Sequence, residues 1–118
     1  MIRKDNKNWI KTGIEYVDGV QKVSAVVTRE VSDWSVIPTT LSVGTPIHIK
    51  LQRQGDAVTI EYATLIPDSN NNVSFQMLRL AYFPLDKKVQ IGIMAAAPGK
   101  ERFSVTFEDF KVTQTAKK

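Results

Sequence analysis

A chain of 118 residues, 42% hydrophobic and 24% charged, is long enough for one domain to bury a core without disulfides or metal. It has no cysteine and a single histidine, His48. That excludes thiolate metal sites and cysteine nucleophiles, and leaves little for histidine-based catalysis or metal binding; no cofactor is expected. The net charge of +4 comes from scattered residues, with small clusters at Arg3, Lys4, Lys7, Lys11 and at Lys117, Lys118, whereas a nucleic-acid surface needs a continuous basic stripe with stacking aromatics.

Period-two patterning then dominates the chain from end to end. The first long strand is expected at 8–16, with Ile10, Thr12, Ile14 and Tyr16 alternating with Trp9, Lys11, Gly13 and Glu15. Asp18-Gly19 is the strongest short hairpin signal, and the return strand at 20–29 places Val23, Ala25 and Val27 opposite Lys22, Ser24 and Thr28. A third strand is expected at 31–37, ending at Pro38. Ile47, Ile49 and Leu51 alternate with His48, Lys50 and Gln52; a turn at Gln54-Gly55-Asp56 leads to Val58, Ile60 and Tyr62. A loop follows at 68–72, then strands at 73–82 and 89–95, separated by Phe83-Pro84-Leu85-Asp86. Pro98-Gly99-Lys100 turns into a last strand with Phe103, Val105 and Phe107 on one side.

About eight short strands with regular turn signals and no capped 3.6-residue period predict an all-β, antiparallel two-sheet sandwich. No linker, repeat or low-complexity segment divides the chain, so a single domain over 1–118 is expected. The longest uncharged apolar run, 91–98, is too short to span a bilayer, and the first residues have no apolar stretch of the signal-peptide kind. Neither a membrane nor a nucleic acid is expected as a partner. With the absence of cysteine, this points to the cytoplasm.

Six motifs in order carry a resemblance: Asn8-Trp9-Ile10-Lys11-Thr12-Gly13-Ile14-Glu15-Tyr16-Val17-Asp18-Gly19, Ser24-Ala25-Val26-Val27-Thr28-Arg29, Ser32-Asp33-Trp34-Ser35, Leu78-Arg79-Leu80-Ala81-Tyr82-Phe83-Pro84, Gly92-Ile93-Met94-Ala95-Ala96-Ala97-Pro98 and Phe103-Ser104-Val105-Thr106-Phe107-Glu108-Asp109-Phe110. The chain resembles the domain-of-unknown-function family that includes the yeast regulation-of-enolase protein. The resemblance implies a concanavalin A-like, jelly-roll sandwich. It also implies that the family's N-terminal strands are missing before Met1-Ile2-Arg3, and that the segment 66–76 is longer than the usual hairpin. Strands left without partners lead to an expectation of a homo-oligomer, with 2–4 or 103–112 at the interface.

The resemblance imports no active site. The residues themselves point to one candidate face, carrying Trp9, Lys11, Glu15, Ser24 and Thr28 opposite the core-facing Ile10, Ile14, Val23 and Val27, with Trp34 as a second aromatic platform. A tryptophan stacks on a sugar ring while charged groups and hydroxyls bond its oxygens, so a non-catalytic, lectin-like module for carbohydrate is the first reading. The plain alternative is a solvated strand face with tryptophans covering a sheet edge. A cytoplasmic domain that regulates a metabolic enzyme such as enolase by protein contact is the second reading. A glycoside hydrolase is the third, since it needs two carboxylates across one bond. Glu108 and Asp109 point to opposite faces of a regular strand, although a bulge between Phe107 and Phe110 would change that. Glu15 and Glu61 show no pairing in the sequence. His48, on the polar side of its strand, reads as a surface residue, and Asn72-Val73-Ser74 as an unused glycosylation sequon.

Overall fold

The computed structural model describes residues 1–64, 74–84, 88–97, 99 and 102–114. Among these are eight strands, β1 (Ile2–Asp5), β2 (Asn8–Val17), β3 (Val20–Arg29), β4 (Val31–Leu41), β5 (Ile47–Gln54), β6 (Ala57–Thr64), β7 (Gln76–Tyr82) and β8 (Gln90–Ile91). They form two antiparallel sheets, one ordered β4-β3-β2-β1-β8 and one ordered β5-β6-β7. The chain is an all-β sandwich.

The turns explain why neighbouring strands meet where they do. Asp18 and Gly19 both have positive φ, 50° and 81°, as a two-residue type I′ turn requires, and Val17 pairs with Val20 directly across it. Gly55, at φ 62°, lies in the two-residue turn that pairs Gln54 with Ala57. In the β1–β2 turn, the Asp5 carboxylate accepts hydrogen bonds from the Asn8 side-chain amide at 2.9 Å and from the Lys7 backbone N–H at 2.8 Å. Those bonds hold the Asp5 carboxyl below the usual carboxylate range, because they favour its charged form.

The core lies between the sheets. Ile2, Ile10, Ala25 and Val27 of the larger sheet pack with Val58, Ile60 and Ala81 of the smaller one and with Phe83, and Leu51, Leu78 and Val89 close the cluster. Phe83, expected in the connection between two strands, is 1% exposed, and its backbone N–H donates to the Asp56 carbonyl at 2.7 Å. Period two carries on from Ala81 to Phe83 beyond the end of β7, which is the signal that finds it.

Several expectations need correction. Ile14 and Tyr16 follow the inward phase of β2 but are 46% and 70% exposed. The core cluster draws on β2 only through Ile10, and although Val23 opposite Ile14 is 1% exposed, the inward residues of β2 beyond Thr12 lose their cover. β4 continues to Leu41, past the expected end at Ile37: the register jumps from Ser24↔Val36 to Lys22↔Thr40. This bulge holds Pro38, which has no N–H to donate and sits on an edge strand. The strand expected at 89–95 is only Gln90–Ile91. The last expected strand, at 103–107, is no strand at all, and 102–114 enters no ladder among the described residues. Alternation gives a segment its two faces, but a strand also needs a partner for its backbone groups. The expected loop at 68–72 and Leu85, Asp86, Pro98 and Lys100 lie outside the described residues.

Candidate ligand-binding face

The register puts all six candidate residues on one face of the five-stranded sheet. Directly opposed residues share a face, so Arg3, Trp9, Thr28 and Ser32 form one row, and Lys11, Val26 and Trp34 a second. Gly13, Ser24 and Val36 form the third, and Glu15, Lys22 and Thr40 the fourth. The core-facing set Ile10, Ala25 and Val27 occupies the other side.

Within this face one contact organises the rest. The Trp34 indole N–H donates to Glu15 Oε2 at 2.8 Å, reaching from β4 across β3 to β2 and from the second row to the fourth. Trp34 stays 49% exposed, so its ring is held by one edge with much of its surface in solvent. Trp9, Lys11 and Glu15 are half-buried. Arg3, beside Trp9 in the first row, donates to the Gln90 side-chain oxygen at 3.1 Å and also bonds Asn6.

Ser24 and Thr28 do not fit the sequence expectation of accessible hydroxyls: they are 4% and 5% exposed. Both lie on β3, which is flanked on either side by β2 and β4. Thr28 Oγ1 and Ser32 Oγ lie 2.9 Å apart as a hydrogen-bonded pair. Neither hydroxyl is open to a ligand as the structure stands.

Sequence reasoning missed Arg79. From β7 it crosses to β4 of the other sheet, where Nη2 meets Asp33 Oδ2 at 2.8 Å and Nη1 bonds Ser35 Oγ at 3.0 Å and the Asp33 carbonyl at 3.2 Å. The guanidinium's hydrogen bond, and next its charge, hold the Asp33 carboxyl below the usual carboxylate range. Nearby, the Arg29 guanidinium sits 4.8 Å from the centre of the Tyr82 ring. These contacts tie together the edges of the two sheets that carry Trp34 and the exposed Met77, Leu80 and Tyr82. A charged residue in an apolar strand, Leu78-Arg79-Leu80, was the available signal.

Two of the carboxylates considered for glycoside cleavage, Glu15 and Glu61, lie on different sheets. Glu15 belongs to the larger sheet and Glu61, opposite Lys50, to the smaller. Asp109 has φ 56°, which places a backbone irregularity at the point where the apolar phase shifts. His48 is half-buried, its ring 6.0 Å from that of Phe75. Among the described residues, no group of three or more His, Asp and Glu side chains is placed to hold a metal ion. No helix there is long and apolar enough to cross a membrane.

A family model described as a protein of unknown function, DUF1349, matches residues 1–115. The chain belongs to the DUF1349 family. Regulation of enolase protein 1 of Saccharomyces cerevisiae is 34% identical to this DUF1349 chain over 114 residues, covering 96% of the chain and 54% of the yeast protein. The chain thus spans about half the length of that relative. A solved structure, that of a functionally unknown protein from Saccharomyces cerevisiae, superposes with a TM-score of 0.54 at 27% identity, over 72% of this chain and 42% of the other.

Proposed function

We propose that this DUF1349 chain is a non-catalytic binding module that takes a protein ligand on the Trp34 face of its larger sheet. The observation that carries this is the Trp34 ring, pinned by Glu15 and half exposed. A rigid aromatic that keeps its surface in solvent while its polar edge is already bonded is suited to anchor an interface. The buried hydroxyls of Ser24 and Thr28 favour a protein over a sugar, because a sugar site depends on several free polar groups converging on the ring. The name of the yeast relative supports a metabolic enzyme, enolase, as the partner class. The cysteine-free composition supports a reducing compartment such as the cytoplasm. We assign the sandwich to the concanavalin A-like jelly rolls, a placement supported by the return of β8 beside β1, and treat 1–118 as one domain.

A carbohydrate ligand is the second reading, favoured by the same ring with Lys11 in its row and Glu15 at its edge. Titrating the chain with purified enolase and, separately, with oligosaccharides, while following binding by interferometry, separates the two. Saturable binding of enolase is expected, weakened about tenfold or more by Trp34→Ala, as befits an interface anchor. An oligosaccharide response abolished by the same substitution, without enolase binding, would install the sugar reading instead. If the folded chain answers neither ligand, the face is not a binding site.

A further inference from the structure

The segment 102–114 is left without a role by everything above. Phe103, Val105 and Phe107 alternate with Ser104, Thr106 and Glu108, yet they are 51%, 49% and 46% exposed and enter no ladder among the described residues. Such a segment has the two faces of a strand and, among the described residues, no strand beside it to take up its backbone groups.

We propose that two copies of this chain pair antiparallel through residues 102–108, about a two-fold axis at Val105. In that register Phe103 faces the partner's Phe107, Val105 faces the partner's Val105, and Ser104 faces the partner's Thr106. Arg102 faces the partner's Glu108, so opposite charges close the ladder at both ends. The apolar residues fall on one face and the polar ones on the other, and the two-fold repeats each pair. Moving the axis to Phe107 would set Lys111 opposite Phe103 and run the ladder through Asp109, whose left-handed backbone interrupts it. A two-stranded ribbon alone is marginal. The exposed Ile91, Ile93 and Met94 of each copy supply apolar surface against which its apolar face can pack.

The absence of cysteine makes the register directly testable. Directly opposed residues of an antiparallel pair come within disulfide reach, while residues offset by two along the strand, about 7–8 Å apart, do not. Mild oxidation of Val105→Cys should therefore give a covalent dimer, while Ser104→Cys and Val112→Cys stay monomeric on a non-reducing gel. Light scattering on the unmodified chain should give the mass of two copies. Arg102→Glu and Glu108→Arg should each raise the dimer dissociation constant about tenfold, by opposing like charges at two symmetric positions. The double variant should restore it. These residues are exposed, so unchanged circular dichroism is expected for every variant. A monomer mass at all micromolar concentrations, or equal crosslinking of all three cysteine variants, would overturn the proposal.

Discussion

The contact between Trp34 and Glu15 concentrates the chemistry of the candidate face in a single hydrogen bond. An indole N–H bonded to a carboxylate in a half-exposed setting contributes about 0.5–1.5 kcal/mol to stability, so its main effect is to fix the ring. Glu15→Gln retains an acceptor and should leave the ring in place. Glu15→Ala should free it. In a Trp9→Phe background, acrylamide quenching of Trp34 fluorescence should rise for Glu15→Ala and stay near the parent value for Glu15→Gln. Equal quenching in all three proteins would show that the bond does not hold the ring.

At the scale of the strand, Gly13 is the position where β2 departs from ordinary extended geometry. Its φ of 153° lies in a region that side-chain-bearing residues rarely adopt, although an added Cβ would meet nothing within 4 Å. The space is open and the backbone is not. Gly13→Ala should cost about 1–3 kcal/mol through backbone strain. Gly92→Ala, with equally open space and no positive φ, should stay within about 0.5 kcal/mol. Urea denaturation of the two variants separates these effects, and equal midpoints would remove the strain argument.

At the scale of the molecule, two sheets are held by an apolar core and by the Arg79 clamp at one edge. Ile10, fully buried, should lose about 2–5 kcal/mol on substitution by alanine. Ile14, on the same strand and in the same phase, is 46% exposed and should lose about 1 kcal/mol or less. The clamp carries a pH signature. Because Asp33 titrates below its ordinary range in the folded chain, its contribution is present at neutral pH and is lost as the pH falls through that lowered value. Asp33→Asn should therefore melt below the parent at neutral pH, with the gap closing in acid. A gap that stays constant into strong acid would mean that the pair contributes no charge-dependent stability.

Whatever depends on neighbours in the chain was legible in the sequence itself. The type I′ turn at Asp18-Gly19, the pairing of the first two long strands, the all-β class and the common face of Trp9, Lys11 and Glu15 all follow from φ preferences and a period of two. The tertiary structure decided which alternating residues are covered. Ile10 is buried and Ile14 is not, because the core cluster takes in Ile10 alone from β2, even though Val23 opposite Ile14 is covered. Ser24 and Thr28 are sheltered because they fall on a middle strand. Trp34 found Glu15, and Arg79 found Asp33, across sequence separations of 19 and 46 residues. No local pattern encodes such contacts, because they depend on strand order and on how the two sheets meet. The segment 103–107 marks the boundary most clearly: its alternation is strand-like, but pairing depends on a partner that periodicity does not specify.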